Sequence, residues 1–195
     1  MGDLVHANTQ ESVDYVLHSG NEQDVKFIRL WFTDILGTLK GFAITADELE
    51  EVLNHGASFD GSAVEGFARS AETDMIAMPD PTTWQLLPWR PKSSSVARMF
   101  CDIKHPDGTP AECDSRNVLR RNMRQAAKIG YTYYVGPEIE YYYLRTIDPP
   151  TPLDDGGYFD QSSDTGPDLR RDTVLALEEM GIPVQHSHHE VAPGQ

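Results

Sequence analysis

The twelve residues YYVGPEIEYYYL, at 133–144, constrain this chain more than any other stretch. Aromatic and β-branched residues crowd together and Gly136-Pro137 punctuates them, so the pattern predicts a β-strand. On a strand, Glu138, Glu140 and Tyr142 share one face, while Ile139, Tyr141 and Tyr143 take the other. Two carboxylates so spaced lie roughly 7 Å apart at their Cα atoms. Like charges at that separation repel unless something cationic sits over them. A solvated strand face is the bland reading of such a pair. The neighbouring tyrosines and aliphatic residues argue for burial, and hence for a bound cation.

A second stretch, VQHSHHEVAPGQ at 184–195, also has strand character. His188 and Glu190 share a face and His189 takes the other. Three carboxylates from two strands suit a hard divalent cation such as Mg²⁺ or Mn²⁺, which prefers oxygen ligands. The histidines leave room for a soft metal or for plain core residues, but oxygen donors outnumber them.

These residues carry a resemblance. GPEIEYYYL followed by SHHEVAPGQ resembles the bacterial class I glutamine synthetases. IRLWFTDILGTLKG, FDGSAVEGF and ETDMIAMPDP upstream, and GGYFD and DLRRDTVLALEEMGIPV downstream, are similar to the same family in the same order. The resemblance implies an α+β architecture: an N-terminal β-grasp domain, then the start of a glutamine-synthetase-type α/β catalytic domain. The boundary is expected near Pro110 to Asp114, dividing 1–110 from an incomplete catalytic portion at 111–195.

What the resemblance implies about chemistry is ATP-dependent ligation of ammonia to L-glutamate through a γ-glutamyl phosphate. Glu140 and Glu190 would hold the cation nearer glutamate, and Glu138 would help hold the one bridging the ATP phosphates, each Mg²⁺ or Mn²⁺. Gln185 falls where the family has a glutamate near the nucleotide. Asp60 aligns with the aspartate that binds ammonium, acting in a neighbouring subunit's site, and Asp74 with another acidic position of that loop. Arg69 matches an arginine linked to feedback inhibition. Ala63 departs from the family's FDGSS motif, which removes a hydroxyl. The resemblance further implies a homododecamer of two stacked hexameric rings. The family's remaining ligands fall after Gln195, so residues 1–195 alone are expected to bind cations weakly and to catalyse nothing. Two other readings stand beside this one: a γ-glutamyl-polyamine ligase, and a non-catalytic member kept for assembly.

Composition agrees with an acidic, soluble chain. With 31 acidic against 16 basic residues the net charge is −15, which disfavours nucleic acid and anionic membranes, since both demand clustered Lys and Arg. No apolar run approaches the roughly 20 residues that span a bilayer, and the first ten residues lack signal-peptide character. The expectation is a cytoplasmic protein. Cys101 and Cys113 flank a turn at 105–110; in a reducing compartment they are expected as free thiols.

The remaining elements follow from periodicity and punctuation. Residues 9–18 predict a short helix capped by Thr9, with Val13, Val16 and Leu17 inward. Residues 25–32 and 39–44 predict a hairpin. Residues 46–55 predict a helix burying Leu49, Val52 and Leu53, closed by Gly56. Residues 58–73, poor in periodic apolar side chains, predict a loop. Short strands are expected at 75–78, 85–87 and 95–103. Asp114 should cap a helix over 115–129. Residues 146–157 predict a loop, and 168–180 a helix with Leu169, Thr173, Ala176 and Met180 on one face. Arg170 and Arg171 are expected as solvated charges.

Overall fold

The computed structural model describes residues 10–66 and 73–195. They form two compact units, Met1–Tyr133 and Tyr134–Gln195.

The first unit begins with helix α1, Gln10–Glu22, whose Val13 and Val16 are buried. The helix runs one turn beyond the expected end, and Asp24, at φ 48°, makes the reversal. The expected cap Thr9 lies outside the described residues. Strands β1, Val25–Thr33, and β2, Leu39–Thr45, form the expected antiparallel hairpin. Asp34 builds its turn: the carboxylate accepts from the Leu36 and Thr38 amides, both at 2.9 Å, and Lys40 lies 3.4 Å away. A short 3₁₀ turn, Ala46–Glu48, leads into helix α2, Leu49–His55, which buries Leu49, Val52 and Leu53. Gly56 ends it at φ 77°, a conformation that costs glycine little. Thr45 precedes this turn without making a side-chain cap.

Strand β3, Ala57–Asp60, opens the segment expected to be a loop. β4, Asp74–Pro79, β5, Gln85–Leu86, and β6, Ser95–Lys104, complete the sheet in the order β2-β1-β6-β4-β3, with β5 also on β6. β6 runs parallel to β1 and antiparallel to β4 and β5. Its side chains alternate strictly, burying Ser95, Ala97, Met99, Cys101 and Ile103. Together with Ile28, Leu30 and Phe32 of β1 and the inner faces of α1 and α2, they make the core. One covered face and one open face is the alternation that this sheet requires. Pro79 sits at the end of β4, where a missing N–H interrupts no further pairing. Both cysteines are free, and burial pushes the Cys101 thiol well above its usual range.

Helix α3, Ser115–Lys128, starts at Asp114, whose carboxylate accepts from the Asn117 amide at 3.1 Å. It is locked to the sheet by charge. Arg116 donates to Asp102 at 2.9 Å and to Asp80 at 2.5 Å, and Arg120 donates to Asp102 at 2.7 Å. Burial by itself would raise the Asp102 carboxyl, but the two guanidinium partners outweigh it and hold it below the ordinary value. α3 therefore belongs to the first compact unit, although the sequence-based boundary falls before it.

In the second unit, β7, Leu144–Ile147, and β8, Pro150–Pro152, form a small hairpin inside the segment expected as a loop. Helix α4, Pro167–Glu179, follows. None of its residues is buried. The largest correction concerns the two expected metal-bearing strands. Residues 131–143 and 183–190 carry no regular secondary structure. Strand propensity expresses itself only against a ladder partner. Past the Tyr131 N–H, which bonds back to the Ala126 carbonyl of the preceding helix, the described residues offer residues 132–143 two backbone bonds, both at Tyr143: its N–H to the Gly194 carbonyl, and its carbonyl to Leu153 N–H. Tyr134 and Ile139 are consequently 86% and 79% exposed.

Asp102→Ala should lower the unfolding free energy of the first unit by about 2 kcal/mol, since it leaves two guanidinium groups half-buried and short of partners. Because the folded carboxyl titrates below its unfolded value of about 3.9, its contribution is complete above that pH. It fades as pH falls through the folded value. Denaturant titrations of the parent and the variant at neutral pH and at about pH 3 check this; a difference that does not shrink in acid contradicts it.

Candidate functional site

The second unit gathers its chemistry on a hydrogen-bonded turn at its C-terminal end. Gln195 bonds two separate carboxylate-bearing residues, one as donor and one as acceptor. Its side-chain Nε2 donates to Glu140 Oε2 at 2.6 Å, and its backbone carbonyl accepts from Glu190 N–H at 2.8 Å. The turn closes on itself through Gln195 N–H to the Ala192 carbonyl, 3.0 Å, and Ala192 N–H to Gln195 Oε1, 3.3 Å. Glu190 Oε2 accepts from Val191 N–H at 3.0 Å, and Oε1 lies 3.9 Å from His188 Nε2.

Glu140 and Glu190 are thus both tied to one turn. Glu138 is exposed, and no ion pair of it or of Glu140 with Lys or Arg occurs among the described residues. The expected burial of this pair on a strand face is not found. Gln185 is exposed in the irregular segment before the turn. Arg69 lies outside the described residues. Carboxylates left without cationic side chains suit hard divalent ions, so the donor set fits Mg²⁺ or Mn²⁺.

Behind this turn lies a cluster that the sequence reading did not single out. Asp154 is buried and accepts five hydrogen bonds. Oδ1 receives Gly156 N–H at 3.2 Å, Gly194 N–H at 3.0 Å and His189 Nε2 at 2.9 Å; Oδ2 receives Thr165 N–H at 2.9 Å and Thr165 Oγ1 at 3.2 Å. The Thr165 amide, with burial opposing it and His189 reinforcing it, holds the Asp154 carboxyl far below its usual range. His189, 2% exposed, donates from Nδ1 to the Glu190 carbonyl at 2.7 Å. Both ring nitrogens thus face oxygen acceptors, and the Asp154 bond first of all pushes the imidazole pKa up. Asp164 completes the cluster, with ligand atoms of all three within 4.8 Å. Arg170 already grips Asp164 with both guanidinium nitrogens, Nη1 at 3.0 Å, so Arg170 is not the solvated charge expected. Every donor of this trio is committed within the protein, which makes it a structural node and a poor cation site. The alternation that set His189 apart from His188 and Glu190 was the available signal for its inward role.

In the first unit, Asp60 caps the 3₁₀ turn Gly61–Ala63: it accepts from Ser62 N–H at 2.9 Å and from Ser62 Oγ at 2.7 Å. The Ser62 hydroxyl first, then its amide, holds the exposed Asp60 carboxyl below its usual value, so it is anionic at neutral pH. The hydroxyls that serve Asp60 are those of Ser62 and Thr73, so Ala63 removes none of this support.

Two family models match the chain. The glutamine synthetase beta-Grasp domain matches residues 24–106, and the glutamine synthetase catalytic domain matches residues 112–195. The chain is 52% identical over 189 residues to a glutamine synthetase of Mycolicibacterium smegmatis, and 47% identical over 185 residues to one of Methanosarcina mazei. These matches cover 93% and 92% of this chain, and 42% and 41% of those proteins. The chain therefore spans about two fifths of the length of the curated relatives it matches. Among solved structures it is similar to the glutamine synthetase of Plasmodium falciparum, with a TM-score of 0.77 at 20% identity over 100% of this chain and 44% of that one. The GmaS/ADP complex gives a TM-score of 0.72 at 23% identity over 92% and 42%. At these identities the likeness is one of fold.

Replacing Ser62 with Ala should raise the Asp60 pKa toward its unperturbed value, whereas Ala63→Ser should leave it where it is. Carboxyl ¹³C titration of both variants separates the two positions. A shift in Ala63→Ser and none in Ser62→Ala would contradict the capping geometry.

Proposed function

The chain belongs to the glutamine synthetase family, and on that premise we propose that it is part of a ligase that joins ammonia to L-glutamate at the expense of ATP. The observation that carries this reading is the turn on which Gln195 ties Glu140 to Glu190, with no Lys or Arg paired to Glu140 among the described residues. In the reaction, the glutamate side-chain carboxylate attacks the γ-phosphoryl group of ATP and releases ADP. Ammonia then attacks the resulting acyl phosphate and expels phosphate. Divalent cations supply neutralisation of the charge gathering on the phosphoryl oxygens.

Glu140 and Glu190 would hold the cation nearer glutamate, and Glu138 the one at the ATP phosphates. Gln195 orients Glu140 through a single oxygen, which leaves Glu140 Oε1 directed by no protein donor among the described residues. Gln185 would reach the nucleotide with an amide in place of a charge. Asp60, held anionic by Ser62, would attract ammonium and accept its proton. In a homo-oligomer such as a dodecamer, Asp60 would serve a neighbouring subunit's site and Arg69 would mediate inhibition by product glutamine. The exposed Tyr133, Tyr134, Val135 and Ile139 give the rest of the catalytic domain an apolar surface to cover. Curated relatives at about half identity are named glutamine synthetases, which supports ammonia over a polyamine as the acceptor.

In the complete protein, Glu140→Ala should cut glutamine formation by more than about 100-fold, beyond the loss typical of an outer-shell change. Hybrid oligomers that mix Asp60→Ala with Glu140→Ala subunits should recover part of the activity. Coupled phosphate-release assays on verified hybrids test this, and hybrids as inactive as either parent would contradict a shared site.

A further inference from the structure

We propose that Asp154 and His189 act as a positioning pair that fixes the backbone carrying Glu190 and, through Gln195, the side chain of Glu140. This rests on the reading of those glutamates as cation ligands. The chain of contacts is continuous. Asp154 Oδ1 holds His189 Nε2 at 2.9 Å, and His189 Nδ1 holds the Glu190 carbonyl at 2.7 Å. The same Oδ1 holds Gly194 N–H at 3.0 Å, one residue before the Gln195 that grips Glu140. Gly194 in turn accepts from Tyr143 N–H at 2.8 Å, which anchors the segment leading away from Glu140. One carboxylate therefore sets both ends of the 189–194 turn.

Burial supports the assignment. Asp154, Gly156, Gly166, His189 and Gly194 are the buried positions of residues 134–195, and none carries an apolar side chain. With no apolar side chain buried there, directional hydrogen bonds are the main means of orienting the turn. The packing around the ring is close: a Cβ on Gly156 would stand 2.8 Å from His189 Nε2 and 3.1 Å from two of its ring carbons. Neither Asp154 nor His189 needs to touch a cation for this role. Their effect reaches the ligands through orientation, and misorienting ligands in this way typically weakens a metal site 10- to about 100-fold.

The test uses the complete protein and Mn²⁺ alone, with free Mn²⁺ read by its electron paramagnetic resonance signal. Asp154→Asn and Gly156→Ala should each weaken Mn²⁺ binding by roughly 10- to 100-fold, although neither removes a ligand. His189→Gln, which can still donate to Asp154, should lose less than His189→Ala. Glu190→Ala is the reference. If it leaves Mn²⁺ affinity unchanged, the ligand reading itself fails and the proposal falls with it. If Glu190→Ala weakens binding while the folded Asp154→Asn and Gly156→Ala proteins bind as the parent does, the ligand reading stands and the positioning pair is overturned. A lowered melting temperature with unchanged affinity counts the same way. Should Asp154→Asn fail to fold, Gly156→Ala, which keeps every polar group, decides by the same titration.

Discussion

Strand β6 is the piece on which the first unit depends. Its ten residues pair with β1 in parallel and with β4 and β5 in antiparallel fashion, and every second side chain enters the core. Because a strand's faces alternate with period two, a one-residue slip would put Arg98 and Asp102 where Ala97 and Cys101 now sit. The outward residues are used as well. Asp102 takes α3 through Arg116 and Arg120, while Arg98 lies over the Phe100 ring at 4.5 Å. One strand thereby holds the apolar core on one side and the charged lock of a helix on the other.

The second unit obeys a different rule. Its interior is a polar node built from Asp154, His189, Thr165 and glycine amides, backed by the Asp164–Arg170 pair. Buried polar networks are stable only when each member is satisfied, and here the Asp154 carboxylate has five donors. The apolar side chains lie outside, with Tyr134, Val135 and Ile139 open to solvent. The unit thus spends its interior on hydrogen bonds and leaves much of its apolar surface exposed.

Much of the first unit was legible because its signals are local. The hairpin at β1 and β2, the buried Leu49, Val52 and Leu53, and the Asp114 cap all follow from spacing and turn chemistry. Residues 133–143 form no strand despite their composition, because β-propensity records fitness for a sheet, and the sheet is made by a partner elsewhere. The same cause left the apolar face of α4 uncovered. Family motifs singled out Glu138, Glu140 and Glu190, and the fold ties Glu140 and Glu190 to the Gln195 turn. Asp154 escaped notice because a loop aspartate has no periodicity, and its five partners come from residues up to forty positions away. Arg170 escaped for the same reason: only the fold brings Asp164 back over the first turn of α4.

Two clusters in the second unit could in principle attract a cation, and their chemistry differs. The carboxylates of Glu140 and Glu190 sit on the Gln195 turn, whereas Asp154, Asp164 and His189 are saturated with internal partners. A crystal of the complete protein soaked in Mn²⁺, with anomalous maps recorded at the manganese edge, separates them in one measurement. The account predicts density within coordination distance of the Glu140 and Glu190 carboxylates and none inside the Asp154–Asp164–His189 trio. Density in the trio, with the glutamates bare, would contradict it.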